Sequence, residues 1–342
     1  MPKLNSIRDI VLCIAFFCFS STVLSQEVLK ETQIRGFGEI LTTLQNDKVS
    51  FSLGEQDLFI TSQLSDRFSF LGESVFKYTS GTPTKYSVSI ERSIVKYNVI
   101  GNHNILVGKH HTPVNYWNDT YHHGRVFFPT IFRPLIFDKE IIPIHTIGID
   151  FQGQNLGNVK FGYDLLIGNG IGSSDVLDND KRKSITAAIH IKPVEGLRIG
   201  ATWYNDRIAK GTATHDGDLV RWTVKQNLFT GSVAYFGDKF ELLTEGTAGT
   251  NKTDTTGSQT TLASYIYAGI KIKEKLVPYF RLDNLHFQTG EIFFDKDNTT
   301  SIVLGIRYNV NYLTAIKLEY LHQHGEVAGN INKVTAQLAV GF

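Results

Sequence analysis

Apolar and polar residues alternate along most of this chain. Ile185, Ala187, Ile189 and Ile191 share one parity, while Thr186, His190 and Lys192 take the other. The same two-residue beat returns at Leu197, Ile199, Ala201 and Trp203 against Arg198, Thr202 and Tyr204. It returns again at Ile302, Leu304, Ile306 and Tyr308 against Ser301, Arg307 and Asn309. Side chains of a strand point alternately to opposite faces, so each segment has one apolar face and one face that holds charge. A strand of that kind lies between two media. Sixteen such segments are predicted, at 33–45, 49–64, 67–79, 84–97, 103–111, 144–152, 158–168, 183–192, 195–205, 219–236, 239–250, 258–273, 275–287, 299–309, 312–323 and 331–342.

The connections carry a second pattern. Tight ones such as Ser65-Asp66-Arg67, Pro193-Val194-Glu195, Gly237-Asp238 and Glu274 are expected to alternate strictly with longer polar ones such as "GNGIGSSDVLDNDKRK", "DRIAKGTATHDGD" and "GTNKTDTTG". Alternation of this sort puts short turns on one rim and loops on the other. With an even strand number it predicts an all-β fold, a transmembrane antiparallel β-barrel of about 16 strands, apolar outside and polar inside. In lipid every backbone polar group must be paired, so a spanning sheet has to close on itself. A soluble sandwich would explain strands but not a charged face that recurs around the whole chain.

Composition narrows the class. The chain has 342 residues with 30 Gly, 8 Pro and one Met, a balance suited to strands and turns. Lys3 and Arg8, an apolar run from Ile10 to Phe19, and the small or apolar Val23, Leu24 and Ser25 predict a signal peptide over 1–25. The barrel is then expected to occupy 26–342, in an outer membrane. Both cysteines, Cys13 and Cys18, fall inside the signal, so the exported chain has no disulfide framework. Removing two of 34 cations (Lys3, Arg8) and one of 33 anions (Asp9) leaves 32 of each sign, which gives no bias toward nucleic acid. No Walker motif, dinucleotide fingerprint, zinc spacing or G-x-S-x-G is present, so no cofactor and no metal are expected.

The last segment, "INKVTAQLAVGF", sets Val334, Ala336, Leu338, Val340 and Phe342 on one apolar face and stops on the aromatic. It resembles the C-terminal signal of Gram-negative outer-membrane barrels, which implies that Phe342 is read by the barrel-assembly machinery. One connection stands apart: Thr112 to Pro143, between the fifth and sixth segments, is roughly twice as long as any other. A barrel of this size encloses water, and a wide lumen needs something to limit passage. The strand count, the terminal Phe342 and this long third loop between "ILVGKHH" and "IPIHTIGIDFQG" resemble the porin family. The block "GKHHTPVNYWNDTYHHG" with "RP" and "IPIH" looks like porin-like proteins loosely allied to the phosphate-selective porins.

The resemblance implies that the third external loop folds into the pore and narrows it. Pro113, Pro129 and Pro134 would keep it from pairing as a strand, and Tyr116, Trp117, Tyr121, Phe127 and Phe128 would pin it to the inner wall. Arg125, Arg133 and Lys139 with Asp119, Asp138 and Glu140 would then form the channel constriction, three charges of each sign and hence a weak filter. An external cap over the mouth is the other reading of the same loop. The expected lumen-facing set is Lys160, Arg198, Lys271, Arg281, Arg307 and Lys317, interleaved with Glu73, Asp164, Asp283 and Glu319. It leaves room for a modest anion preference.

Five of the 11 histidines, His110, His111, His122, His123 and His145, cluster around this loop, but neighbours on an extended segment point opposite ways and cannot share one site. The function expected is passive diffusion of small hydrophilic solutes or ions, without catalysis. The partners expected are outer-membrane lipid and the assembly machinery, and the resemblance admits a homotrimer. The alternative is a non-transport barrel, an adhesin or structural protein, or a barrel hydrolase. A hydrolase would need a catalytic pair, and Asp283 and His286 fall on opposite faces.

Overall fold

The computed structural model describes residues 31–79, 85–121, 124–170, 182–213, 219–294 and 297–342. The predicted signal peptide lies outside the described residues, as do His122 and His123. Among the described residues the chain forms sixteen strands: β1 (Thr32–Gln45), β2 (Lys48–Gln63), β3 (Phe68–Tyr78), β4 (Tyr86–Ile100), β5 (His103–His111), β6 (His145–Leu156), β7 (Phe161–Gly168), β8 (Ser184–Ile191), β9 (Leu197–Ile208), β10 (Val224–Phe236), β11 (Phe240–Thr253), β12 (Gly257–Ile270), β13 (Leu276–Phe287), β14 (Thr299–Asn311), β15 (Thr314–Gly325) and β16 (Gly329–Gly341). Each pairs antiparallel with its neighbours in sequence, and β1 pairs with β16, from Phe37 opposite Gly341 to Leu44 opposite Val334. The sheet closes with no free edge. Every predicted segment corresponds to one strand, because a barrel wall between two media imposes the period of two on each crossing.

The period also assigns faces. On β12, Leu262, Ile266 and Ile270 are exposed on the outer surface, while Ala263, Tyr265 and Tyr267 are buried toward the axis. At the seam, Gly36 and Phe342 exchange backbone hydrogen bonds of 3.0 and 2.9 Å, and the Phe342 ring lies across Gly36. A Cβ at position 36 would meet Phe342 Cζ at 2.2 Å, so any larger residue must displace the terminal ring from the first strand.

Three expectations need correction. The turns do not alternate strictly. Asn46-Asp47 between β1 and β2, 254–256 and 326–328 are short and lie on the same rim as the long loops. The connection "GTNKTDTTG", expected as a longer polar loop, is a hairpin. Gly249 to Thr253 continue β11, and Gly257 and Ser258 open β12, paired as Thr253 opposite Gly257. Threonine suits a strand that stands above the membrane in water, where alternation with apolar residues has no cause. Finally, β10 begins at Val224 and not near 219, and Leu219 makes an isolated bridge to Ala213.

Candidate functional site

Residues 112–144 join β5 to β6 and contain two short helices, α1 (Tyr116–Thr120) and α2 (Leu135–Asp138), with a 3-10 turn at Arg125–Phe127 between them. Helices of four and five residues are too short to stand alone. Their stability comes from what they touch. The ends of the segment are tied together: Thr112 and Thr146 hydroxyls lie 2.8 Å apart, and the Asn118 amide donates to the carbonyls of Thr112 and Ile144 at 2.8 and 3.0 Å.

Beyond these ties and its own internal turns, the segment makes many hydrogen bonds to axis-facing side chains of the wall. Glu245 of β11 accepts the backbone N–H groups of Tyr116 and Trp117 and the hydroxyl of Tyr265. Asp57 of β2 accepts the Gly124 N–H at 3.1 Å. Lys317 of β15 donates to the carbonyls of Arg125 and Thr130, and Arg307 of β14 donates to that of Pro129. Glu319 accepts from Ile131 N–H at 2.6 Å and Asp283 from Leu135 N–H at 3.1 Å. Arg281 of β13 reaches Thr130 Oγ1, the Phe132 carbonyl and the Arg133 carbonyl.

Apolar packing fills the space between these anchors. Trp117, Phe128, Ile131, Ile136, Ile141 and Ile142 are fully buried, in one cluster with Tyr265, Tyr267, Leu285 and Val303 of the wall, save Ile131. Trp117 stands edge-on to Phe128 and Tyr265, with ring centroids 5.2 and 6.1 Å away. Phe127 remains 48 % exposed, its ring edge-on to Phe37 at 5.4 Å. A second connection follows the same plan. Glu291, in the connection before β14, accepts from Asn251, Thr261 and the Phe293 N–H, and Phe293 and Phe294 are buried beside the cluster.

The six expected constriction residues fall in three places. Asp119 pairs with Arg198 at 2.7 Å. Arg125 pairs with Glu55 at 2.8 Å and Glu39 at 3.6 Å, and its guanidinium sits over the Phe128 ring. Arg133 lies near Arg125, and burial together with that neighbouring cation pushes its guanidinium below the usual arginine range. Asp138, Lys139 and Glu140 form the end of α2, with Asp138 and Glu140 exposed and Glu140 in the left-handed region at φ 48. Parity alone cannot foresee this scatter, because a loop has no period.

Among the expected lumen residues, Arg281, Arg307, Lys317, Glu73, Asp164, Asp283 and Glu319 are buried on the axis-facing side. Lys160 and Lys271 lie just outside β7 and β12, Lys160 in a turn at φ 47 and Lys271 donating to the Gly237 carbonyl at 2.8 Å. Sequence reasoning missed Glu39, Glu55, Asp57, Glu241, Glu245 and Glu291. Parity within predicted strands was the available signal for all but Glu291, which falls in a connection; the loop partners lie 67 to 129 residues away in the cases of Asp57 and Glu245.

The histidines divide. His111 and His145 face each other across the last rung of the β5–β6 ladder with rings 5.3 Å apart, His111 near Glu73 at 3.6 Å and His145 on Glu91 at 2.9 Å. A bulge after Glu73 leaves Glu91 unpaired in the ladder, so that Glu91 and Arg92 both serve this cluster. His110 turns to the Gly148 carbonyl at 3.3 Å. Asp283 is buried and His286 exposed, on opposite faces of β13.

Two cavities border the remaining wall. One, of about 460 Å³, is lined by axis-facing residues of β1 to β6, including Gln33, Arg92, Lys96 and Gln152. The other, of about 530 Å³, lies between α1 and the short-turn ends of β6 to β10, and Asp119 and Arg198 border it. The described residues hold no helix long and apolar enough to cross a membrane.

No protein-family model matches the chain, and no curated protein does. Solved structures do. It is similar to an anion-selective porin from Comamonas acidovorans, with TM-score 0.66 and 12% identity over 92% of this chain and 100% of that one. It is similar also to OmpT, an outer membrane protein of Vibrio cholerae in trimer form, with TM-score 0.63 and 11% identity over 92% and 99%. A third is the outer membrane channel DcaP of Acinetobacter baumannii, with TM-score 0.60 and 12% identity over 92% and 97%.

Proposed function

Since the chain has the fold of outer-membrane porins, we propose that it is an outer-membrane channel through which small hydrophilic solutes or ions diffuse passively, without catalysis. One observation carries this reading: the barrel is closed, apolar on the outside and charged on its axis-facing side, where a cavity lined in part by Gln33, Arg92, Lys96 and Gln152 stands clear of the packed segment 112–144. In this reading the segment lies in the lumen and narrows it, with Arg125 and Arg133 set against Glu39, Glu55 and Asp57. The cap reading has less support, since the segment bonds to wall residues well inside the strands, such as Glu245, Arg281 and Lys317.

Axis-facing cations pair with carboxylates, Arg281 with Asp283 at 2.9 Å and Arg307 with Glu241 at 2.7 Å. Selectivity by charge is therefore weak, and a modest anion preference stays within the proposal. The apolar outer surface of β1 to β3, with Ile34, Ile40 and Phe51 exposed, could meet lipid or a second copy, and a homotrimer stays within the proposal. The Vibrio cholerae structure in trimer form supports that assembly.

The test is single-channel recording of the refolded chain in a planar bilayer, with reversal potential in a salt gradient. Steady ohmic openings with a small reversal potential are expected. A silent membrane, at protein levels where heat-modifiable gel mobility shows folded barrel, would overturn the channel reading.

A further inference from the structure

The cavity between α1 and the short-turn rim has two unlike walls. One is cationic: Lys160 from the β6–β7 turn, Lys192 just past β8, and Arg198 near the start of β9. The other is aromatic: Tyr116 of α1 and Phe236, the last residue of β10, stack at 6.3 Å with their planes 19° apart. Arg198 joins the two, its guanidinium 5.2 Å from the Tyr116 ring centroid.

The charges here do not cancel. Two carboxylates border the cavity, Asp119 and Glu195, against three cations. Asp119 is taken by Arg198 at 2.7 Å. Lys192 has a neutral acceptor, Asn155 Oδ1 at 3.2 Å. Lys160 donates its backbone N–H to the Gly157 carbonyl at 3.2 Å, and its ammonium has no hydrogen bond or ion pair among the described residues. Burial and the nearby Arg198 and Lys160 hold the Lys192 ammonium below the usual lysine range, a strain that an arriving anion would relieve.

Size and lining also favour an organic guest. A volume of about 530 Å³ falls in the range of small-molecule sites, which pair an apolar wall with a few placed polar groups. Leu197 and Val194 extend the apolar side. A mineral anion would use the lysines and leave the stacked rings idle.

We propose that this cavity is a binding subsite for small aromatic carboxylates, with the carboxylate between Lys160, Lys192 and Arg198 and the ring against Tyr116 and Phe236. The inference rests on the channel reading for how a solute reaches the cavity, and deepens it by naming a class of cargo. Binding itself is independent of conduction.

The test is calorimetric titration of the refolded full chain in detergent with benzoate, acetate, inorganic phosphate and benzyl alcohol. Benzoate is expected to bind with saturation, and the other three about tenfold more weakly or not at all. Lys160→Gln with Lys192→Gln should weaken benzoate about tenfold or more, through loss of charge-assisted hydrogen bonds. Phe236→Ala should bring benzoate down to the level of acetate. Heat-modifiable mobility checks that each variant is folded. Benzoate no tighter than acetate or phosphate in the unaltered chain, or unchanged by the double substitution, would overturn the proposal. A chain that binds benzoate but stays silent in bilayers would refute the channel and leave the subsite standing.

Discussion

A guanidinium that is 1 % exposed must find acceptors inside the protein, and Arg281 makes four hydrogen bonds there. Its Nε goes to Asp283 at 2.9 Å and its two terminal nitrogens go to three acceptors on the segment 130–133. Removing it strands Asp283 beside those acceptors, and losing one partner of a buried pair costs about 3–5 kcal/mol. Arg281→Ala is therefore expected to loosen the loop while the sixteen strands stay paired. Current noise should rise in single-channel records while heat-modifiable mobility is retained. Arg281→Lys, which keeps the charge but not the planar fork, should fall between the two. Parity along β13 was enough to place Arg281 and Asp283 on the axis side. It could not say that their partners lie 148 and more residues back, because tertiary pairing leaves no periodic trace.

Among the elements, strands were legible and loops were not. A residue in β12 meets lipid or lumen according to its parity, so Leu262 and Ala263 differ in environment for one reason only. The Leu135-Ile136-Phe137 run has no such rule: it is a single helical turn held by wall contacts. The hairpin of β11 and β12 was underestimated because its top is Thr, Asn and Lys on both faces. The loop carries its own prediction. Replacing 114–142 by a short Gly-Ser link should leave a barrel that assembles, since Thr112 and Thr146 already meet at the rim. It should conduct more than the unaltered chain, measured as single-channel current in the same salt. Equal current would mean that the segment does not narrow the path.

The molecule as a whole depends on one seam, where the first and last strands meet. Phe342 covers Gly36 there, so a side chain at position 36 must push the ring away. Because the Phe342 ring is 75 % exposed and can turn aside, Gly36→Val is expected to cost only about 0.5–1 kcal/mol. The fraction of heat-modifiable barrel recovered on refolding should drop, and so should its unfolding temperature. The terminal aromatic was visible in the sequence, but the glycine it covers, more than three hundred residues earlier, was not. Around the rest of the circle, the segment is fastened through Glu245, Arg281, Arg307, Lys317 and Glu319 on β11 to β15, and through Glu39, Glu55 and Asp57 on β1 and β2. The cavity that Lys96 and Gln152 border takes no residue from that segment. In the channel proposed above, substitutions at Lys96 or Gln152 are therefore expected to retune what passes while the segment stays seated. Such a channel can change its diet one residue at a time and still assemble at every step.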